Sequence, residues 1–289
     1  MLRHRHLSLL LIAVAALLAG CVSLPTPTAR SSTPEGAALL EAAATAHGWD
    51  AYTRAGDINL RHDGRWYEAI ARVQPVLTDV DFRATAEERI VVGARASAKS
   101  YSGGAGGAKL ASRTPGSVEV WVNGELENNV EKRAAAALVL DAYRLFWLGP
   151  LFLKEQGAVV EALGAGRVGG AECDWLLARL APGFGFAAED RVMACVGRSD
   201  RRFVQLRLSV DGLASTRGAV VEVDLGDYIV VQGIALPTRL SERVVRPLPL
   251  PVRDWWLVGA DVGRGYAVEA LAGPVWPTTV AAPAQALPR

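Results

Sequence analysis

Short stretches of alternating apolar and polar side chains recur along most of the sequence, and they limit the fold more than any other feature. In the clearest one, apolar residues from Val204 to Val210 alternate with polar residues, and the turn dipeptide Asp211-Gly212 follows. A period of two places alternate side chains on one face of a β-strand, so this stretch predicts a strand with one buried face. The other stretches predicted to form strands are 58–60, 82–86, 118–122, 219–225, 228–236, 238–245 and 255–257.

Turn dipeptides between these stretches predict antiparallel hairpins. Asp63-Gly64 predicts a hairpin turn, with Trp66 at the start of the returning strand. Asn123-Gly124 ends another predicted strand. Antiparallel strands joined by short turns expose sheet edges, which must be closed or covered.

Two segments carry a helical pattern instead. Ser32 and Glu35 have the spacing of a capping box at the start of a helix that Gly48 ends. Residues 131–146 contain an alanine-rich run without glycine or proline, which favours a second helix up to the Gly-Pro break at 149–150. The predicted fold class is therefore mainly β with helices (α+β): a curled antiparallel sheet, or half-open β-barrel, covered by one or two helices.

The first residues have the composition of a secretory signal peptide. Two arginines precede an apolar run at 7–18, which is too short for a membrane-spanning helix of ~20 residues. The following Leu-Ala-Gly-Cys stretch at 18–21 resembles the bacterial lipobox. By that resemblance Cys21 receives lipid, palmitate among its acyl chains, and becomes the first residue of the mature protein. The alternative is an ordinary cleavage site beside an incidental cysteine.

Lipid on Cys21 predicts an outer-membrane protein facing the periplasm. In Gram-negative bacteria an aspartate after the lipidated cysteine favours the inner membrane, and here Val22 follows Cys21. The segment Ser23–Pro34 is rich in serine, threonine and proline, which predicts a solvated, partly extended tether. These features divide the chain into a lipoprotein signal peptide (1–20), a tether (21–33), a single β domain (34–272) and a disordered tail (273–289).

Composition argues against a general affinity for nucleic acid. The chain has 31 basic and 30 acidic side chains, and loss of Arg3 and Arg5 with the signal peptide leaves 29 against 30. Hydrophobic residues make up 51% of the chain, enough for a sizeable core. Cys173 and Cys195 remain, and in an oxidising periplasm they either form a disulfide or stay as two buried thiols.

Motifs for catalysis or cofactor binding are weak. Gly164–Gly169 reads GxGxxG, but a nucleotide site needs a βαβ unit, so a glycine-rich hairpin loop is favoured here. Gly103–Gly107 lacks the Gly-Lys-Ser/Thr of a P-loop and predicts a flexible loop. His47 and His62 are the only histidines of the mature sequence, and zinc and nucleophile-elbow motifs are missing. We therefore expect no catalytic residue, no metal and no cofactor.

A set of large apolar side chains is the main candidate for a binding site. They either line a cavity under the second helix or belong to the core, and those at the 146–153 turn have a third possibility, an exposed surface for a ligand, a membrane or a partner. The candidates are Trp66, Trp121, Phe146, Trp147, Leu151 and Phe152.

Several of these elements together resemble the LolA/LolB-like superfamily of lipoprotein carriers and receptors. They are the opening helix that reaches His47-Gly48-Trp49, the Asp-Gly dipeptide before Trp66, and the stretch DAYRLFWLGPLFL. The resemblance spans residues 34–266 in the order of its elements. It implies a curled antiparallel half-barrel covered by helices, whose apolar hollow holds acyl chains. No residue matches the receptor's protruding apolar loop or the carrier's basic lid contact.

The sequence therefore favours a non-catalytic lipoprotein that binds lipid, acyl chains or lipoproteins at the outer membrane. The alternative is a structural or assembly partner of another envelope protein, docked through the Trp147–Phe152 surface. An enzyme would need a polar cleft with a perturbed titratable group, and the sequence nominates none.

Overall fold

The computed structural model describes residues 23–274 and Trp276, with the backbone alone at residues 83 and 84; Cys21 and the signal peptide lie outside this range. Its strands are β1 (Asp57–Trp66), β2 (Arg83–Val91), β3 (Ala96–Gly104), β4 (Gly107–Thr114), β5 (Ser117–Val122), β6 (Glu125–Leu126), β7 (Val159–Val168), β8 (Ala171–Leu180), β9 (Asp190–Gly197), β10 (Phe203–Ser209), β11 (Val220–Gly226), β12 (Ile229–Val231), β13 (Ile234–Leu236), β14 (Arg239–Arg246) and β15 (Leu250–Val262). Its helices are α1 (Pro34–Ala46), α2 (Trp49–Arg54), α3 (Glu68–Val73), α4 (Pro75–Thr78), α5 (Val130–Leu148) and α6 (Pro150–Glu155), with 3₁₀ turns at Ala214–Thr216 and Val268–Leu271.

Within the described residues, thirteen strands form one antiparallel sheet that does not close into a barrel. Their order is β6-β5-β4-β3-β2-β1-β15-β14-β11-β10-β9-β8-β7, and β12 and β13 form a separate hairpin. The sheet is thus two meanders joined where the first strand pairs with the last. The predicted class, a mainly β fold with a curled antiparallel sheet and covering helices, is confirmed.

Helix α5 connects the two outer edges of this sheet, because it follows β6 at one edge and precedes β7 at the other. It packs against β3, β4 and β5. Asn129 caps its N-terminus, where the side-chain oxygen accepts from the Lys132 backbone N–H at 3.1 Å. The helix ends at Gly149, whose φ of 53° is readily adopted by glycine, and Pro150 starts α6. The predicted helix and its Gly-Pro break are therefore confirmed.

The start of α1 differs from the prediction by one residue. The capping residue is Thr33, whose hydroxyl accepts from the Gly36 N–H at 3.1 Å. Ser32 is used elsewhere, since its hydroxyl accepts from the Val160 N–H at 3.1 Å. Thr33 also donates its backbone N–H to the Val160 carbonyl at 2.9 Å, so these hydrogen bonds attach the start of the helix to the edge strand β7.

The predicted hairpin turn at Asp63-Gly64 is wrong. Both residues lie inside β1 and pair with Trp256 and Trp255 of β15. Glycine is needed at position 64 for space: a Cβ there would lie 2.5 Å from the Asp254 carbonyl oxygen and 2.8 Å from the Trp255 Cβ. The Asp-Gly dipeptide therefore marks a close approach of two strands and not a turn.

The two glycine clusters lie at hairpins between antiparallel strands, but most of their glycines belong to the strands and not to a loop as predicted. Gly164–Gly169 belongs to the end of β7 and its turn into the antiparallel β8, so the βαβ unit of a nucleotide fingerprint is not formed here. Gly103–Gly107 joins β3 to β4.

The two cysteines meet on neighbouring strands. Cys173 of β8 and Cys195 of β9 form a disulfide, with their Cα atoms 5.5 Å apart. Both side chains are fully buried. The bond links two strands that already pair, and it supports the prediction of an oxidising compartment.

The N-terminal segment 24–33, which we call the strap, is extended as expected but is not solvated throughout. Leu24 is only 6% exposed and packs with Leu177, Met193 and Val220 on the outer face of the sheet. Arg191 donates to the Leu24 carbonyl at 2.9 Å. An apolar residue and several backbone carbonyls thus dock a segment whose composition predicts only a tether.

Beyond residue 274, Trp276 is described and also contacts the sheet. It packs beside Leu271 against β2 and β3, and the Arg89 guanidinium lies 4.3 Å from the ring centroid. The rest of the predicted tail lies outside the described residues.

The Gly64→Ala substitution is expected to lower the free energy of unfolding by about 1–3 kcal/mol, because the added methyl group overlaps β15. Urea denaturation followed by tryptophan fluorescence measures this loss. The matched control is Gly226→Ala in β11, where a Cβ meets no atom within 4 Å. That control should leave stability unchanged or raise it by up to about 1 kcal/mol. Equal effects of the two substitutions would contradict the close approach.

Candidate functional site

A cavity of about 500 Å³ lies between α5 and the inner face of the sheet. Its inner wall comes from β11, β14 and β15, and its outer wall comes from α3, α4, the 3₁₀ turn at 214–216 and the loop between β14 and β15. The lining is almost entirely apolar. Representative lining residues are Trp66, Ile70, Leu77, Val139, Phe146, Val221, Val244 and Val252.

Helix α5 supplies one side of this cavity with a single face. Leu138, Ala142 and Phe146 recur every four residues, and Val139 and Tyr143 repeat the interval one position later. Residues four apart lie above one another on a helix, so these five side chains form one stripe. Because α5 is anchored on β3 to β5, the stripe is held away from β11 and β14, and the space between them stays unfilled.

The mouth of the cavity has an apolar rim. Val73 at the end of α3 is 65% exposed, and Leu248 in the β14–β15 loop is 74% exposed. Two hydrogen bonds cross the rim: Gln74 Nε2 donates to the Ser215 carbonyl and Ser215 Oγ donates to Gln74 Oε1, each at 3.2 Å. The rim therefore combines exposed apolar side chains with a polar link that can open without loss of the core.

A buried charged cluster lies next to the cavity, on the inner face of β1, β2, β3 and β15. His62 Nε2 lies 2.9 Å from Glu88 Oε1, and Lys99 Nζ lies 2.7 Å from the same oxygen. Arg253 donates from Nη1 to the Tyr143 hydroxyl at 2.8 Å and lies 3.1 Å from His62 Nδ1 through Nη2. These five residues, the charged cluster, connect α5 to four strands.

Electrostatics in the charged cluster decide which groups carry charge. Burial alone raises the pKa of Glu88, but the Lys99 charge and the His62 hydrogen bond outweigh burial and lower this pKa to about 2. Burial, then the Lys99 charge, hold the pKa of His62 well below its ordinary value. His62 is therefore neutral, with Nε2–H donating to Glu88 and Nδ1 accepting from Arg253, and one tautomer satisfies both neighbours.

The interior of the sheet thus has two chemically different halves. Under β8 to β11 the inner face carries aliphatic side chains such as Leu176, Val192 and Leu206. Under β1 to β4 it carries the charged cluster and the buried Lys109–Asp79 ion pair. The cavity lies at the boundary, where Tyr143 belongs to both the lining and the charged cluster. The site consequently offers a mainly apolar space that borders the charged cluster at Tyr143.

Both histidines among the described residues, His47 and His62, have structural roles. His47 is buried, and its Nε2 accepts from the Phe203 backbone N–H at 3.2 Å. Burial, assisted by the Arg202 charge, lowers the pKa of His47 to about 3. A neutral imidazole that accepts a backbone hydrogen bond at a helix end holds α1 on β10 and is not positioned for proton transfer.

A groove of about 830 Å³ on the outer face of the sheet is more polar than the cavity. Its charged side chains are already paired with one another: Arg65 with Asp254 at 3.0 Å, and Arg239 with Asp227 at 2.9 Å. The apolar cavity is therefore the better candidate for binding an organic ligand.

The six candidate residues that the sequence suggested lie in different parts of the structure. Trp66 and Phe146 line the cavity. Trp121 is half-buried on β5 and donates to Glu119 at 3.3 Å, away from the cavity lining. The remaining three, Trp147, Leu151 and Phe152, are buried in the main core.

The docking surface expected at Trp147–Phe152 is consequently excluded, since a side chain inside the core cannot contact a partner. The reason is that α6 folds back under α5 directly after Gly149, which turns the whole stretch inwards. The alternative function that depended on this surface loses its site.

Sequence reasoning missed most of the lining residues. The run Pro247–Val252 supplies several of them and alternates proline with apolar residues, a visible signal of an apolar loop. Tyr143 and Arg253 carry no such signal, because their roles depend on a contact between α5 and the last strand of the sheet.

Among the residues that the structure describes, no helix combines the length and apolar character needed to cross a membrane. In the same part of the chain, no group of three or more His, Cys, Asp or Glu side chains is arranged to hold a metal ion.

Comparison with solved structures identifies the fold. A DUF1329 family protein from Desulfovibrio piger aligns with a TM-score of 0.53 at 12% identity, covering 83% of this chain and 98% of that one. A LolA superfamily protein from Nitrosomonas europaea also aligns with a TM-score of 0.53, at 10% identity, covering 82% of this chain and 97% of that one. The LolA-like fold implied by the sequence resemblance is therefore confirmed. No protein-family model and no curated protein matches the sequence.

Substitution of Glu88 by glutamine is expected to lower the free energy of unfolding at pH 7 by roughly 3–5 kcal/mol, because Lys99 loses its buried carboxylate partner. The depressed pKa of Glu88 stabilises the fold above its ordinary value of 4.5, and that contribution disappears as pH falls towards 2. The difference in free energy of unfolding between wild type and Glu88→Gln should therefore become smaller as the pH falls from 4.5 towards 2.

Urea titrations at pH 7 and pH 3 measure both effects, with Glu125→Gln on the exposed strand β6 as the control. The assigned role of Glu88 would be disproved if the stability difference between wild type and Glu88→Gln were the same at pH 3 as at pH 7. It would also be disproved if Glu88→Gln and Glu125→Gln were equally stable at pH 7.

Proposed function

We propose that this protein is a lipid-anchored, periplasm-facing lipoprotein that binds an acyl chain of a lipid or lipoprotein in its cavity, without catalysis. The observation that carries the proposal is the apolar cavity of about 500 Å³ beside α5. Small-molecule sites typically enclose ~300–1,000 Å³ and are mostly apolar, with few polar groups that set orientation.

The energetics favour an acyl chain over a polar ligand. Each methylene transferred from water to an apolar wall contributes about 0.8 kcal/mol. In the adjacent charged cluster, Lys99 is paired with Glu88 and Arg253 donates to the Tyr143 hydroxyl, so a charged ligand would have to compete with those bonds. Glu242 is the charged side chain among the lining residues. Tyr143, whose hydroxyl accepts from Arg253 at 2.8 Å, is the lining residue that borders the charged cluster.

The anchor and the compartment agree with this function. Lipid on Cys21 would hold the domain at a membrane, and the Cys173–Cys195 disulfide suits the periplasm. The LolA-like fold supports the proposal as well, because the sequence resemblance implies a hollow that holds acyl chains. A permanent anchor fits a protein that receives its ligand in place, whereas a soluble shuttle must leave the membrane.

Filling the cavity tests the binding site. Val139→Trp places an indole in the space under α5 and is expected to weaken binding of a fluorescent long-chain fatty acid at least tenfold, a change of about 1.4 kcal/mol. The matched control is Glu131→Trp at the exposed start of the same helix, which should bind as wild type does.

Thermal unfolding of both variants checks that the fold is kept. Equal affinity of the Val139→Trp and Glu131→Trp proteins would overturn the cavity as the site. Recovery of lipid-free protein from cells, together with no binding of the fatty acid, would overturn the proposed function.

The anchor is tested separately by Cys21→Ser. The full chain, expressed with its own signal peptide in a Gram-negative host, should carry a lipidated N-terminal cysteine and sediment with outer membranes. The Cys21→Ser protein should lack that lipid and leave the membrane fraction. Intact-mass spectrometry and membrane fractionation give the two readouts, and an unmodified Cys21 or an inner-membrane location would contradict this part of the proposal.

A further inference from the structure

The strap that precedes α1 follows a defined path across the outer face of the sheet. Starting from α1, the Thr33 backbone N–H donates to the Val160 carbonyl of β7. The backbone carbonyl of Arg30 accepts from the Arg179 side chain of β8 at 3.1 Å, and the carbonyl of Pro25 accepts from the Arg191 side chain of β9 at 3.1 Å. Leu24 then packs against Val220 at the start of β11. Between Arg30 and Pro25, Thr28 Oγ1 donates to Glu161 Oε1 of β7 at 3.0 Å. Read towards the N-terminus, the strap therefore lies over β7 and β8 before it reaches β9 and β11.

The residues that Leu24 packs against, which we call its seat, lie on the outer face of the sheet, directly behind the mouth of the cavity. Val220 and Val245 belong to the outer-face cluster that holds Leu24. Their chain neighbours Ala219 and Val244 line the cavity on the inner face. One layer of sheet therefore separates the docked Leu24 from the mouth, and Arg246, which pairs with Val220, leads directly into the rim loop that carries Leu248.

The distance from the lipid to this seat is short. Leu24 is only three positions after Cys21 in the sequence. A chain spans at most ~3.3–3.6 Å per residue, so a lipid on Cys21 can be attached no farther than about 10 Å from the seat. A free tether from Cys21 to α1 would reach about four times as far. Docking of Leu24 thus converts a long tether into a short one.

We infer that the strap holds the mouth of the cavity against the lipid bilayer, with the Val73 and Leu248 rim in contact with the membrane surface. This inference rests on the lipid anchor at Cys21 proposed above. The rim suits a lipid surface: Leu248 and Val73 are strongly exposed, and the exposed arginines Arg217 and Arg246 adjoin lining residues. Basic side chains beside exposed apolar ones favour an anionic membrane interface.

An anchored cavity gains from this arrangement because its ligand is itself in the membrane. An acyl chain that leaves the bilayer next to the rim would enter the cavity without crossing water. Gln74 and Ser215, which are hydrogen-bonded to each other, lie in the lining that such a chain would contact.

The experiment measures the depth of two labelled positions in membranes. The full chain, lipidated in cells, is reconstituted into vesicles of phosphatidylethanolamine and phosphatidylglycerol that contain a lipid-borne quencher. A fluorophore is attached to Leu248→Cys at the rim or to Val230→Cys in the β12–β13 hairpin, which follows the opposite end of β11 and is 60% exposed. The quencher should reduce fluorescence at position 248 at least threefold more than at position 230.

Two variants test whether the strap sets this orientation. Leu24→Asp removes the apolar side chain that docks on the seat. A ten-residue Gly/Ser insertion between Ser23 and Leu24 keeps Leu24 docked but lengthens the chain between Leu24 and the lipid. Each should bring quenching at position 248 down to the level of position 230, while the protein still floats with the vesicles. Because the insertion leaves the folded domain untouched, it separates orientation from stability.

Equal quenching at positions 248 and 230 in the unmodified protein would overturn the inference, as would unchanged quenching at position 248 in both variants. Failure of the parent protein to float with vesicles would overturn the anchor and the inference together. Failure to bind fatty acid would overturn only the proposed ligand, since the depth measurement does not depend on it.

Discussion

The pairing of β1 with β15 is the contact on which the rest of the structure depends. It joins the first strand of the sheet to the last, and without it the two meanders would be separate sheets with open edges. Trp255 lies at this seam within ring-contact distance of Tyr143, Phe146 and Trp147 of α5. The same seam brings Arg253 to His62, so the seat of the long helix and the charged cluster are both consequences of one non-local pairing.

The charged cluster explains why the cavity can remain apolar beside buried charges. Ion pairs in the interior are costly to desolvate, and they persist only when each charge is matched and hydrogen-bonded. Glu88 forms an ion pair with Lys99. The neutral His62 accepts a hydrogen bond from Arg253 at Nδ1 and donates one to Glu88 from Nε2. The groups of the charged cluster are thereby held by one another, and the cavity borders them only at Tyr143.

The proposed function at a membrane connects the anchor, the strap and the cavity. In this proposal the lipid on Cys21 would attach the protein, the docked Leu24 would orient it, and the space beside α5 would hold an acyl chain. None of these parts requires a catalytic group. His47 and His62, the two histidines among the described residues, are neutral and hold backbone or side-chain partners in place.

The sequence by itself determined the features that depend on local chemistry. Alternating side chains specified strands, and the alanine-rich run and the Gly-Pro dipeptide specified α5 and its end. The residues around Cys21 predict an export and lipidation signal. Only the tertiary structure decided that Asp63-Gly64 lies within a strand, that Trp147 and Phe152 belong to the core, and that Leu24 docks on the sheet. Each of these depends on a residue distant in sequence, and periodicity and turn propensity report only on near neighbours.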